Sequence, residues 1–210
     1  MTNALSLSSV DNIYELFFRR DVHRLIALGY RKSRCKINCK LEETEITGFI
    51  CEEIEDQLII DPRLSRYSLK EDNPTKGENR TGKSRRRLDI VIQCSNSTPR
   101  QNYIFEAKRL ATSGYPISKY LGEEGLQLFV EGIYACDCPE VGMIGYVQKG
   151  TFEHWEKELF EKLPIKTELL TKKKPKKIRI IDDLEYEWIS EHDRKINKPV
   201  TVYHIFLDCS

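Results

Sequence analysis

Apolar residues recur at helical spacing in two stretches near the start of the chain. Between residues 10 and 30, Ile13, Leu16, Phe17, Leu25, Ile26 and Leu28 predict an amphipathic helix, with Asp11 or Asn12 as its cap and Gly29 as its stop. From about 41 to 60, Ile46, Phe49, Ile50, Ile54 and Leu58 form a second stripe bordered by Glu43, Glu45, Glu52, Glu53 and Glu55. That helix is predicted to bury the stripe and solvate most of its glutamates. Residues 61–87 are polar, broken by Pro62, Pro74, Gly77 and Gly82, and end in Lys83, Arg85, Arg86 and Arg87, so a mobile basic loop is expected. The period then shortens. Leu88 to Ile92, and Tyr103 to Phe105 continuing to Arg109, are rich in β-branched and aromatic residues, and the Ser, Asn and Pro99 between them predict a hairpin. After a Gly114-Tyr115-Pro116 turn the pattern predicts a helix over 121–135 and a buried strand from Val141 to Gln148. A helix near 152–163, a lysine-rich segment from Lys172 to Lys177 around Pro175, the run Ile178-Arg179-Ile180-Ile181 and a closing strand from Val200 to Leu207 complete the chain.

The succession helix, strand, strand, helix, strand predicts an α/β (α+β) protein with a mixed β-sheet flanked by helices. A length of 210 residues suits one core. The expected organisation is a single domain over 1–210, with a helical lead-in at 1–40, a core at 41–150 and a C-terminal α/β extension at 151–210. Thirty-four Lys and Arg balance thirty-three Asp and Glu, so only local clusters of charge point to a nucleic-acid partner. Arg19 and Arg20 cut short the run Leu16-Phe17-Phe18, and no segment approaches the roughly 18 apolar residues of a membrane span. The expectation is a cytoplasmic protein with no membrane partner and with its seven cysteines reduced.

The residues that carry chemistry lie on the hairpin. Side chains two apart on a strand share a face, so Glu106 and Lys108 point the same way. If the hairpin pairs symmetrically about its loop, partners have numbers summing to 195: Ile92 with Tyr103, Ile90 with Phe105 and Asp89 with Glu106. Two facing carboxylates repel unless a cation lies between them or one keeps its proton. Oxygen ligation by two acids suits Mg²⁺, with Mn²⁺ as a substitute, better than Zn²⁺. Such an ion activates water and polarises a phosphodiester, and a lysine beside it orients that water and stabilises charge on the phosphoryl oxygens.

Asp89, sixteen intervening residues and Glu106-Ala107-Lys108 resemble the signature of the PD-(D/E)XK nuclease superfamily, the restriction endonuclease-like enzymes; Leu88 stands where the motif's name has Pro. The likeness covers about half the chain. It implies a core of helix, antiparallel hairpin, helix and a fourth strand, the order read for residues 41–148. It also implies Asp89, Glu106 and the Ala107 carbonyl as metal ligands and Lys108 as the catalytic lysine. A glutamate from the first core helix would complete the site; Glu45, at the edge of the apolar stripe, is the choice, with Glu43 and Glu53 as rivals. The implied activity is Mg²⁺-dependent hydrolysis of nucleic acid, DNA rather than RNA, in a bacterial defence or restriction setting. The rival reading is a catalytically silent nucleic-acid-binding or assembly subunit of the same fold.

Lys83, Arg85, Arg86 and Arg87 before the hairpin, and Arg109 and Lys119 after it, are the expected contacts to the nucleic-acid backbone, which position a substrate without reading its sequence. A homodimer or a partner protein is expected because so short a chain leaves little room for a recognition domain. Two other motifs are weaker. Gly77 to Ser84 fits the spelling of a phosphate-binding P-loop, but that loop must join a buried strand to a helix, and a strand is predicted to follow it. The pairs Cys35/Cys39 and Cys136/Cys138 lack zinc-site spacing and His23, His154, His192 and His204 are scattered, with His204 expected in the core.

Overall fold

The computed structural model describes residues 7–74, 86–96 and 100–210, with side chains from residue 15 onward. Helix α1 (Leu7–Ser33) runs through Gly29 rather than stopping there. At Gly29 it crosses helix α2 (Glu43–Ile60) closely: a Cβ added at that residue would lie 2.7 Å from the Ile50 carbonyl oxygen and 2.8 Å from Ile54. Arg31 and Lys32 in the last turn complement the helix dipole and let the helix continue. Helix α2 begins as a capping box, in which the Glu45 carboxylate accepts the Glu42 amide at 2.7 Å, and it buries Ile46, Ile50 and Ile54.

The stretch expected as a loop before the hairpin contains a strand, β1 (Tyr67–Pro74), antiparallel to β2 (Arg87–Cys94). Its side chains are mostly polar because it is an edge strand, half solvated, and the left-handed Asp72 breaks its alternation. Strand β3 (Gln101–Ala111) follows, and the β2/β3 ladder pairs Ile90 with Phe105 and Ile92 with Tyr103 as predicted from sequence, but it ends there and does not pair Asp89 with Glu106. Of the helix predicted over 121–135 only a short piece forms, α4 (Leu126–Val130), preceded by another short helix, α3 (Ile117–Tyr120), outside that span. The break falls at Gly125, with φ −138° and ψ −125°, where a Cβ would lie 2.3 Å from the Tyr120 carbonyl oxygen. Strand β4 (Glu140–Lys149) lies parallel to β3, and helix α5 (Phe152–Lys162) follows it, capped by Thr151.

The lysine-rich segment is also a strand, β5 (Thr171–Ile178), paired with β6 (Glu187–His192), which the hydrophobic pattern did not reveal. Exposed lysines, Pro175 and two register shifts blunt this edge against pairing with another chain. Strand β7 (Val200–Asp208) closes a seven-stranded mixed sheet in the order β1-β2-β3-β4-β7-β6-β5. Its middle strands β3, β4 and β7 are parallel neighbours and the outer pairs are antiparallel. One sheet face packs against α1 and α2, the other against α3, α4 and α5. Among the described residues no helix is long and apolar enough to cross a membrane, and all seven cysteines are free.

A buried polar chain runs through the second layer. His192 Nδ1 meets the Leu169 carbonyl at 2.6 Å, Ser190 Oγ lies 2.8 Å from His192 Nε2 and from His204 Nε2, and the Tyr120 hydroxyl lies 2.9 Å from His204 Nδ1. Every polar atom on this path has a neutral partner, so His204 is a core residue held uncharged. Burial lowers its pKa from 6.5 to about 3.

Two stability measurements follow from this packing. Gly to Ala inside a helix usually stabilises by up to about 1 kcal/mol, but Gly29→Ala is expected to lose about 1–2 kcal/mol because its methyl meets the Ile50 carbonyl. A gain in the denaturation midpoint would contradict that contact. For His204 the unfolded chain takes up a proton below about pH 6.5 while the folded chain stays neutral until about pH 3. Stability is therefore present above about 6.5 and lost as pH falls through that window. Between roughly pH 7 and pH 5 the wild type should lose up to about 2 kcal/mol relative to His204→Gln; parallel denaturation profiles for the two proteins would contradict it.

Candidate functional site

Strand β2 stays paired with β1 as far as Pro74 and Arg87, but its ladder with β3 ends at Ile90 and Phe105. Continued, the register would give the Ala107 amide to the carbonyl of Leu88. It goes instead to Oδ2 of Asp89, at 2.7 Å. The departure of β2 is also visible in packing: Ile90 and Ile92 belong to the core under α1 and α2, whereas Leu88 belongs to the opposite one. Tyr134 sustains it by donating its hydroxyl proton to the Arg87 carbonyl at 2.9 Å. Asp89 is thereby brought against β3 beside Glu106 and Lys108.

Glu106 is 4% exposed. The Lys108 ammonium donates to Glu106 Oε1 at 2.8 Å, to the Ala107 carbonyl at 2.8 Å and to Glu43 Oε1 at 3.0 Å. Glu43 reaches the sheet from the first turn of α2, and its other oxygen accepts the Arg109 amide at 3.0 Å. Gln148 of β4 holds the same helix end by donating to the Leu41 carbonyl at 2.7 Å. This corrects the expectation for the helix glutamate: Glu45 is engaged in the capping box and does not join the cluster, while Glu43, its rival, does. The reason is local geometry. A capping box uses the third helical residue, which leaves the first turn's other acid free to point at the sheet.

Two carboxylates, Glu106 and Glu43, thus pair with one ammonium, and the carboxylate of Asp89 lies close enough to act on it electrostatically. Burial pushes Glu106 well above the ordinary carboxylate range, the neighbouring Asp89 adds to the rise, and Lys108 opposes it. Burial likewise raises Asp89 to about 6 against the pull of Lys108 and the Ala107 amide. Burial alone would lower Lys108, but Glu106, Glu43 and Asp89 outweigh it and raise its pKa. The Oε2 atom of Glu106 is buried and without a hydrogen-bond partner among the described residues. A buried carboxylate oxygen left this way is costly unless a cation or proton satisfies it. Two hard oxygen donors and a nearby carbonyl fit a Mg²⁺-type ion. Among the described residues no three His, Cys, Asp or Glu side chains are gathered to hold a metal by themselves, since Glu43 is turned to Lys108.

The basic residues expected around the site have mixed fates. Lys83, Arg85 and the P-loop-like residues 77–84 lie outside the described residues; the described elements flanking them are strands β1 and β2. Arg87 pairs with Asp72 at 2.5 Å, and Arg86 beside it is half-buried. Arg109 pairs with Glu42 at 2.6 Å and lies 3.9 Å from the centre of the Tyr115 ring, over which Lys119 also sits at 5.0 Å. Arg87 and Arg109 are therefore held by the protein's own acids, and Lys119 lies over an aromatic face. Tyr134 and Gln148 had no signal in the sequence beyond core and strand patterns; their roles appear only through contacts across the fold.

Comparisons with protein-family models, with curated proteins and with solved structures find no match for this chain.

Proposed function

We propose that the protein is a Mg²⁺-dependent nuclease with a restriction endonuclease-like core, hydrolysing phosphodiester bonds of DNA rather than RNA. The observation that carries this reading is the buried Glu106 carboxylate, which has one oxygen without a partner among the described residues, beside Asp89 and Lys108. Asp89, Glu106 and the Ala107 carbonyl would hold the ion. When bound, Mg²⁺ supplies Lewis-acid polarisation of the phosphodiester and lowers the pKa of a water. The chain's own contribution is positioning and charge. The Ala107 amide fixes Asp89, α2 brings Glu43, and the Lys108 ammonium stabilises negative charge developing on the phosphoryl oxygens. The order of α2, the hairpin, α3 with α4, and β4 supports the core assignment. Lys119 and the arginines flanking the hairpin are the proposed backbone contacts.

The test uses plasmid, linear duplex, single-stranded DNA and RNA, each with Mg²⁺, Mn²⁺ or EDTA. Cleavage is expected with either metal and not with EDTA, and Asp89→Asn, Glu106→Gln and Lys108→Met are each expected to lose at least about a hundredfold in rate. Glu43→Gln should cost more activity than Glu45→Gln, because glutamine still completes the capping box. Cleavage that survives in both Asp89→Asn and Glu106→Gln would remove this site from the reaction. Binding without cleavage under every condition would favour the assembly-subunit reading.

A further inference from the structure

An ammonium has three protons and accepts none, and all three of Lys108's are directed to oxygen: Glu106 Oε1 and the Ala107 carbonyl at 2.8 Å each, and Glu43 Oε1 at 3.0 Å. Two of those three acceptors belong to residues of the oxygen set proposed above for the divalent ion. A Mg²⁺-type ion needs its oxygens at about 2.0–2.1 Å, so it and the ammonium cannot share the Ala107 carbonyl and the Glu106 carboxylate without close repulsion between two cations. We infer that Lys108 is a built-in competitor for the cation: its ammonium pairs with Glu106 and donates to the Ala107 carbonyl until a divalent ion displaces it, and it then keeps only Glu43. This inference rests on the metal-site reading of Asp89 and Glu106.

The surroundings suit such an exchange. Glu43 is anchored independently of the lysine, since its Oε2 accepts the Arg109 amide at 3.0 Å, so it stays in place as an acceptor when the other two contacts break. The Oε2 atom of Glu106 is buried with no partner among the described residues, so its coordination to an ion would break no existing hydrogen bond. The lysine side chain is 14% exposed and rooted on the same strand as Glu106, so a change of torsion moves its tip without moving the backbone. The exchange sets a threshold: cation binding must replace charge-assisted hydrogen bonds, and the site loads only when the divalent ion is abundant enough to do so.

Calorimetric titration of Mn²⁺ into the wild type, Lys108→Met and Asp89→Asn tests this without reference to cleavage. Lys108→Met is expected to bind Mn²⁺ about tenfold or more tightly than the wild type, and Asp89→Asn more weakly. Lys108→Gln, which removes the charge but keeps a donor, serves where the methionine variant does not fold, with the same direction expected. In the wild type, the side-chain ammonium resonance of Lys108 should shift as Mg²⁺ is added, while that of Lys173, paired with Glu191 at 2.6 Å, should not. Equal or weaker Mn²⁺ binding in the neutral variants, or a Lys108 resonance indifferent to Mg²⁺, overturns the inference while leaving the metal site standing. Failure of wild type and neutral variants alike to bind Mn²⁺ overturns both.

Discussion

The hydrogen bond from the Ala107 amide to Asp89 is where the sheet changes what it does. Up to Ile90 and Phe105, strands β2 and β3 satisfy one another through their backbones, as any antiparallel pair must. At the next step a side chain takes the place of a backbone carbonyl. A buried amide has to be paired, so the carboxylate that pairs with it is held in one position, against Glu106 on the neighbouring strand. The parting of the strands, the opposite packing of Leu88 and Ile90 and the grip of Tyr134 on Arg87 all serve that one substitution of side chain for backbone.

What the arrangement creates is a deliberate imbalance of charge. Three acids act on one lysine in a largely buried place, and burial raises Asp89 and Glu106 rather than letting them ionise freely. Structural ion pairs generally match acid with base and leave no buried oxygen without a partner. Here an oxygen of Glu106 has none among the described residues, and the nearby Arg87 and Arg109 are turned to Asp72 and Glu42 instead of the cluster. The polar chain from His192 to Tyr120, on the same side of the sheet, is the contrast: equally buried, but neutral and fully paired. One network is satisfied within itself, and the other leaves a buried carboxylate oxygen without a partner among the described residues.

Much of this was legible in the chain. The period-two pattern of Leu88 to Ile92 and Tyr103 to Arg109 located the hairpin, and pairing about the loop gave its register to the residue. That register put Glu106 and Lys108 on one face and Asp89 close by, although the ladder ends at Ile90 and Phe105 and Asp89 meets strand β3 through its side chain instead of as a paired residue. The stripe of α2 and the buried strand β4 were equally clear, since both bury apolar residues at a period the sequence displays. Strands β1 and β5 were hidden because edge strands are half solvated and carry the lysines, prolines and acids that otherwise mark loops.

The sequence by itself determined the local periods, the hairpin and the shared face of Glu106 and Lys108; the parting of the strands that turns Asp89 onto the Ala107 amide is tertiary. Tertiary structure decided the rest: that Gly29 marks a helix crossing and not an end, that Gly125 divides a helix, and that Glu43 rather than Glu45 meets Lys108. The physical reason is the same in each case. A period along the chain says which side of an element is apolar, but which acid of a helix turn reaches a strand depends on where that helix end is fastened, here by Gln148 to Leu41 and by the Arg109 amide to Glu43. Those contacts join residues more than sixty positions apart, and no local pattern records them.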